Sequence, residues 1–232
     1  MHLLNAKTLE LREFLRKPPA YAILSHTWED GEVSFQDISG PNALTKKGFA
    51  KIKACCEQAL RDGLEWAWID TCCINKDSST VLSEAINSMY RWYQESAVCY
   101  AYLADIHLPN PDLLKLIAPR RLEFFNSQWM PLGSKRVLLG ELTSITRVDM
   151  GNLVKYDHSS VNAGLVFSWA SKRETTREED MAYCLLGLLD INMPLLYGEG
   201  RKAFIRLQQE VVRQSDDYSI FIKHNMITIQ RR

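Results

Sequence analysis

The sequence lacks the short signatures that most often betray an activity. It contains no C-x-x-C, no glycine-rich phosphate loop and no G-x-S-x-G elbow, which removes the commonest redox, nucleotide-cradling and serine-hydrolase patterns. It also lacks charge of a prevailing sign. Lysine plus arginine and aspartate plus glutamate number 28 each in 232 residues, so no overall basic field exists to attract nucleic acid or an anionic membrane. Long apolar runs are missing too, and the opening MHLLNAKTLELREFLRK breaks its apolar residues with charges. No membrane span and no secretory leader are expected, which reads as a cytoplasmic protein. Histidines at 2, 26, 107, 158 and 224 make no spaced pair, so no metal site is expected. Six cysteines, four of them in the adjacent pairs Cys55-Cys56 and Cys72-Cys73, suit reduced, buried thiols better than a disulfide framework. Repeats and low-complexity segments are absent as well.

What is present is a regular alternation. Ala20 to Ser25 is a short apolar run after Pro18-Pro19 and before the polar HTWEDGE, which predicts a buried strand ending in a loop. From Leu44 to Asp62 the residues Phe49, Ile52, Cys56, Ala59 and Leu60 recur at helical spacing, and Gly63 offers a stop. Glu65 to Ile74 is again apolar and aromatic and predicts a second strand. Thr80 to Tyr93 predicts a second amphipathic helix with Ser79 or Thr80 as cap, and Val98 to Leu103 a third strand closing on Asp105. No hairpin dipeptides join these strands. The pattern is an α/β fold with a parallel sheet and crossover helices. Further on, a helical piece reaches Ala118, Leu122 to Phe125 suits one more strand, and Lys135 to Arg147 is helical in pattern. Thr176 and Glu179 have capping-box spacing before Met181, Cys184, Leu185 and Leu188. Phe204, Leu207, Val211 and Val212 mark a final helix.

In a parallel α/β sheet, ligands bind beyond the carboxyl ends of the strands, where the loops diverge. That rule selects Ser25, His26 and Trp28 after the first strand, Asp70 and Thr71 at the second, and Asp105 after the third, as a set able to contact a polar ligand. Aspartates also cap loops at such positions, and that role stands beside ligand contact for Asp70 and Asp105. Cys72 or Cys73 with His26 as base would make a nucleophilic pair, although neighbouring strand residues face opposite ways and only one thiol can point into the crevice. Trp66 and Trp68 share a strand face, as a stacking platform or as core.

The blocks MHLLNAKTLELREF, YAILSHTWEDGEVSFQD, WAWIDTCCINKDSSTVLSEAINSMYRWYQESAVCYAYLAD and SWASKRETTREEDMAYCLLGLLDINMPLLYGEGRKAFIRLQQEVV resemble, in order, those of the fungal heterokaryon incompatibility (HET) domain. The resemblance covers about 1–217, with an α/β core at about 18–126, a helical remainder at 135–213 and an atypical, truncated-looking tail at 218–232. It implies a core similar to Toll/interleukin-receptor (TIR) domains, a part in non-self recognition and programmed cell death as a fungal form of innate immunity, and self-association or a sensor protein as partner. It implies no bound cofactor, with NAD as a candidate substrate, because some TIR domains cleave its glycosidic bond with a helix-borne glutamate. Here the sequence departs from the family. Leu113-Leu114-Lys115-Leu116 aligns with the run that carries that glutamate, so Lys115 replaces it, and a lysine cannot stabilise an oxocarbenium ion. Glu84 and Asp112 are the candidate substitutes for that glutamate. Three readings stay open: an effector descended from NAD-cleaving domains, a non-catalytic interaction module, and a cysteine hydrolase.

Overall fold

The computed structural model describes residues 1–104, 112–171, 173–214 and 219. They divide into two compact units, one from 1–85, 92–104 and 119–138, the other from 86–91, 112–118 and the described residues after 138.

The first unit is built on a seven-stranded sheet. β1 (His2–Asn5), β2 (Leu11–Glu13), β3 (Ala22–Ser25), β4 (Trp66–Ile69), β5 (Val98–Tyr102), β6 (Leu122–Phe125) and β7 (Pro131–Ser134) are arranged in the order β2-β1-β4-β3-β5-β6-β7. The central pairs β4–β3, β3–β5 and β5–β6 are parallel, and the outer pairs are antiparallel. β3 is therefore the hinge of the topology. α1 (Phe49–Arg61) connects β3 to β4, and α2 (Ser79–Glu95) connects β4 to β5, which pairs with the opposite edge of β3. Strands buried on both faces read as continuous apolar runs rather than alternations, and Ala22, Ile23, Leu24, Ala67, Trp68, Ile69, Val98, Cys99 and Tyr100 are all buried.

The expected parallel α/β core is thus present, with adjusted limits. The second strand stops at Ile69 instead of Ile74, because Cys72 and Cys73 donate their amides back to the Ile69 carbonyl and turn the chain. The first helix begins at Phe49, after a separate 3-10 turn at Pro41–Thr45. α2 is capped by Ser78, whose hydroxyl accepts from the Val81 amide. β1 and β2 were not expected; in their short, charge-broken segment β1 gains its strand character from pairing with β4 and β2 from pairing with β1, an instance of tertiary context overriding local pattern. Likewise Lys135–Leu138 is a turn following β7, and the helix expected from Lys135 starts only at Leu139.

The second unit contains α3 (Leu113–Ile117), α4 (Leu139–Thr146), α5 (Met150–Val154), α6 (Ala163–Ala170), α7 (Asp180–Tyr183) and α8 (Lys202–Gln214). The capping box expected at Thr176 and Glu179 does not form. Glu179 is itself the N-cap residue of α7 without a side-chain cap bond. Its carboxylate instead accepts from the Gly198 and Gly200 amides at 2.7 and 3.0 Å, fixing a loop distant in sequence. A hydrogen bond from its own amide, together with those from Gly200 and Gly198, holds its pKa below the ordinary value. No helix among the described residues is long and apolar enough to cross a membrane.

Lys135, the first residue after β7, is buried, and its ammonium donates to the Pro119 carbonyl at 2.6 Å. Burial pushes its pKa down to about 8, against about 10.4 in an unfolded chain. Between these values the unfolded state binds more protons, so stability rises with pH there and the penalty for the buried charge is fully felt below pH 8. Denaturation curves at pH 7.5 and 9.5 should therefore show a gain for the wild type that Lys135→Met lacks. Equal pH responses in the two proteins would contradict this assignment.

Candidate functional site

The register of the central strands brings the site residues together. Leu24 lies opposite Ile69 in the parallel β3–β4 pair, so the next step of that register sets the end of β3 beside Asp70. Asp70 is 5% and His26 7% exposed. His26 Nε2 lies 3.0 Å from Asp70 Oδ1, and the Trp28 indole N–H donates to both carboxylate oxygens at 3.1 and 3.2 Å. An ionised carboxylate only accepts, so Nε2 is the donor in this contact. Nδ1 is then left facing Glu32 Oε1 at 3.7 Å, beyond hydrogen-bond reach.

A second set of contacts holds the loop that presents these side chains. Lys51, in the first turn of α1, is buried and donates to Glu32 Oε1 at 2.5 Å and to the Thr27 carbonyl at 3.4 Å. Glu32 Oε1 also accepts from the Glu29 amide. The loop closes on α1 through Gly31, at φ +84°, whose carbonyl accepts from the Gly48 amide. A side chain at Gly48 would come within 2.9 Å of the Glu32 Cα, so the approach of loop to helix requires glycine there. From β5, the Tyr102 ring lies 5.6 Å from Lys51 Nζ.

Of the expected site residues, His26, Trp28 and Asp70 meet in one network. Ser25 is the last residue of β3, paired with Ala101, and Thr71 is buried with an unpartnered hydroxyl. Asp105 lies outside the described residues. The part exposed to solvent is Trp28, over whose ring Lys76 Nζ sits at 3.3 Å from the centroid, a close cation–π contact. Glu32, Lys51 and Lys76 escaped the sequence reading. The only local signal for Lys51 was its place beside the apolar stripe of a helix that starts just after the loop.

The cysteine nucleophile is not supported. Cys72 and Cys73 are both buried, and the Cys72 thiol donates to the Ile69 carbonyl. A hydrogen bond with Cys73, then burial, raises the Cys72 pKa well above the usual thiol range, so the reactive thiolate is disfavoured. Cys55 and Cys56 are likewise buried, with pKa values raised chiefly by burial, that of Cys56 to about 12. His26 Nε2 is engaged by the Asp70 carboxylate and not by a thiol. Trp68 is core, packed edge-to-face on Trp92 and Tyr93, while Trp66 packs on Phe14. Lys115 sits in α3 of the second unit. Asp112, one of the two acids considered as substitutes for the missing glutamate, caps α3 and pairs with Arg173 at 3.5 Å; Glu84 is exposed on α2. Among the described residues no cluster of three or more His, Cys, Asp or Glu could hold a metal ion.

Chemically, the network fixes an indole and an imidazole at the mouth of the parallel strands while committing the carboxylates beneath them. Removing one member of a buried ion pair strands the other and costs about 3–5 kcal/mol. Lys51→Met should lower the unfolding free energy by about that amount, measured by urea denaturation. Adding Glu32→Leu should restore most of it, and a double variant as unstable as the single would show that Lys51 acts by some route other than this pair.

Residues 21–139 match the family model described as heterokaryon incompatibility protein (HET). The chain is also 40% identical over 220 residues to the vegetative incompatibility protein HET-E-1 of Podospora anserina, an alignment covering 84% of this chain. It spans only 16% of that relative's length. No solved structure matches the chain.

Proposed function

The chain belongs to the heterokaryon incompatibility (HET) family, and on that premise we propose that it acts in fungal vegetative incompatibility, as a cytoplasmic non-self recognition effector leading to programmed cell death. The similarity to HET-E-1, named for vegetative incompatibility, supports this role. The reading includes a TIR-like core, supported by the parallel order β4-β3-β5 with a helix on each connection. Its working surface is the end of β3, where the topology reverses and where ligands of open α/β sheets bind.

At that surface the protein binds a polar ligand or a partner, and cleavage of NAD is lost or badly impaired. The observation that carries this choice is the commitment of the carboxylates. Asp70 is occupied by His26 and Trp28, and Glu32 Oε1 by Lys51. Glycosidic cleavage needs a carboxylate beside the sugar as positive charge develops, and Lys115 stands where the family glutamate is expected. Partners of this surface are a second copy of the chain or a sensor protein.

Incubating the purified protein with NAD and following nicotinamide release tests the choice. The wild type should release none above background while self-associating in light scattering, or binding a sensor partner. Sustained release that Asp70→Asn abolishes and Cys72→Ala leaves intact, with both variants folded by circular dichroism, would establish an enzyme and overturn the binding-only reading.

A further inference from the structure

Within the first unit, away from the His26–Asp70 network in its lining, a cleft of about 540 Å³ lies between the last turn of α1 and the β6–β7 edge. Clefts of a few hundred cubic ångströms with an apolar wall and a few converging polar groups are the usual form of small-molecule sites. The apolar wall here is aromatic. The Trp129 ring lies 5.3 Å from Phe125 and 5.5 Å from Tyr102, centroid to centroid. Its backbone is fixed by Asn126, whose side-chain oxygen accepts from the Gln128 and Met130 amides at 3.0 and 2.9 Å and whose carbonyl accepts from the Trp129 amide. The indole wall is thus preset.

The rim carries two arginines and two acids, and they are paired unevenly. Arg121 is satisfied by two acids, with Nε 3.2 Å from Glu123 and Nη2 3.5 Å from Asp62. Asp62 is shared further, accepting from the Tyr100 hydroxyl at 2.9 Å and from Gln58 at 3.2 Å. Arg61 is different. Its Nε donates to the neutral Gln58 side chain at 3.0 Å, and among the described residues no carboxylate comes within ion-pair range of it. Its remaining N–H groups keep the fork geometry that matches an oxyanion with two parallel hydrogen bonds.

We propose that this cleft is a second ligand site, taking a small molecule with a planar aromatic ring packed on Trp129 and a terminal oxyanion held by Arg61. Carboxylate and phosphate share that chemistry. A base or ring stacked on an aromatic side chain gains affinity with little demand on its identity, so the oxyanion supplies the discrimination.

Calorimetric titration of the purified chain with indole-3-acetate and with AMP tests the site and distinguishes the two oxyanions. Adenosine serves as the ring without charge and inorganic phosphate as the charge without ring. At least one of the two acids should bind, and each control at least tenfold more weakly. Arg61→Gln, a change at an exposed position, should weaken the binding at least tenfold. Trp129→Asn, which tolerates the left-handed backbone found there, should do the same while remaining folded by circular dichroism. Should Trp129→Asn fail to fold, Arg61→Gln decides alone. No binding of either acid at millimolar concentration, controls that match the acids, or full affinity in Arg61→Gln would each overturn the proposal.

Discussion

A buried carboxylate at the end of a buried strand must be satisfied, and in the first unit the way Asp70 is satisfied organises everything around it. The penalty for leaving such a group unpaired is large. The loop after β3 is consequently bound to bring both the His26 imidazole and the Trp28 indole to it. Two segments separated by more than forty residues are joined by side chains that approach where the parallel register of β3 and β4 runs out. The presentation of an aromatic ring to solvent is a by-product of solving a burial problem.

That solution needs a backing. The loop would be free to swing if only its beginning were fixed, and Lys51 with Glu32 fixes its end against α1. The ion pair lies under the loop instead of on its surface, so salt screens it little. Position, not strength, is its contribution. His26 lies between the two carboxylates, with one ring nitrogen on Asp70 and the other turned toward Glu32.

The parallel core was legible because strands buried on both faces are written as uninterrupted apolar runs, and because amphipathic helices between them keep a plain period. Ile69 and Leu24 could be assigned to strands from their neighbours alone. The candidates His26, Trp28 and Asp70 followed from one topological rule, without knowledge of how they would touch. What was hidden depends on partners far along the chain. β1 is a strand because β4 offers an edge and β2 because β1 extends it, and Glu179 leaves its own helix for the Gly198–Gly200 loop. Lys51 is buried only because the loop closes over it. No window of sequence contains those facts. Asp105 was inferred by the same rule as Asp70 and lies outside the described residues.

The sulfur chemistry of the core has a different kind of consequence. Cys55, Cys56, Cys72, Cys73 and Cys99 are all buried, on α1, on the turn after β4 and on β5. A thiol shielded from water does not meet an alkylating reagent until its surroundings open. Each of these residues is therefore a built-in clock for the element that carries it: its labelling rate reports how often that helix, turn or strand parts from the sheet, from local opening up to global unfolding. Mass spectrometry of the labelled chain would rank the pieces of the core by the order in which they come apart.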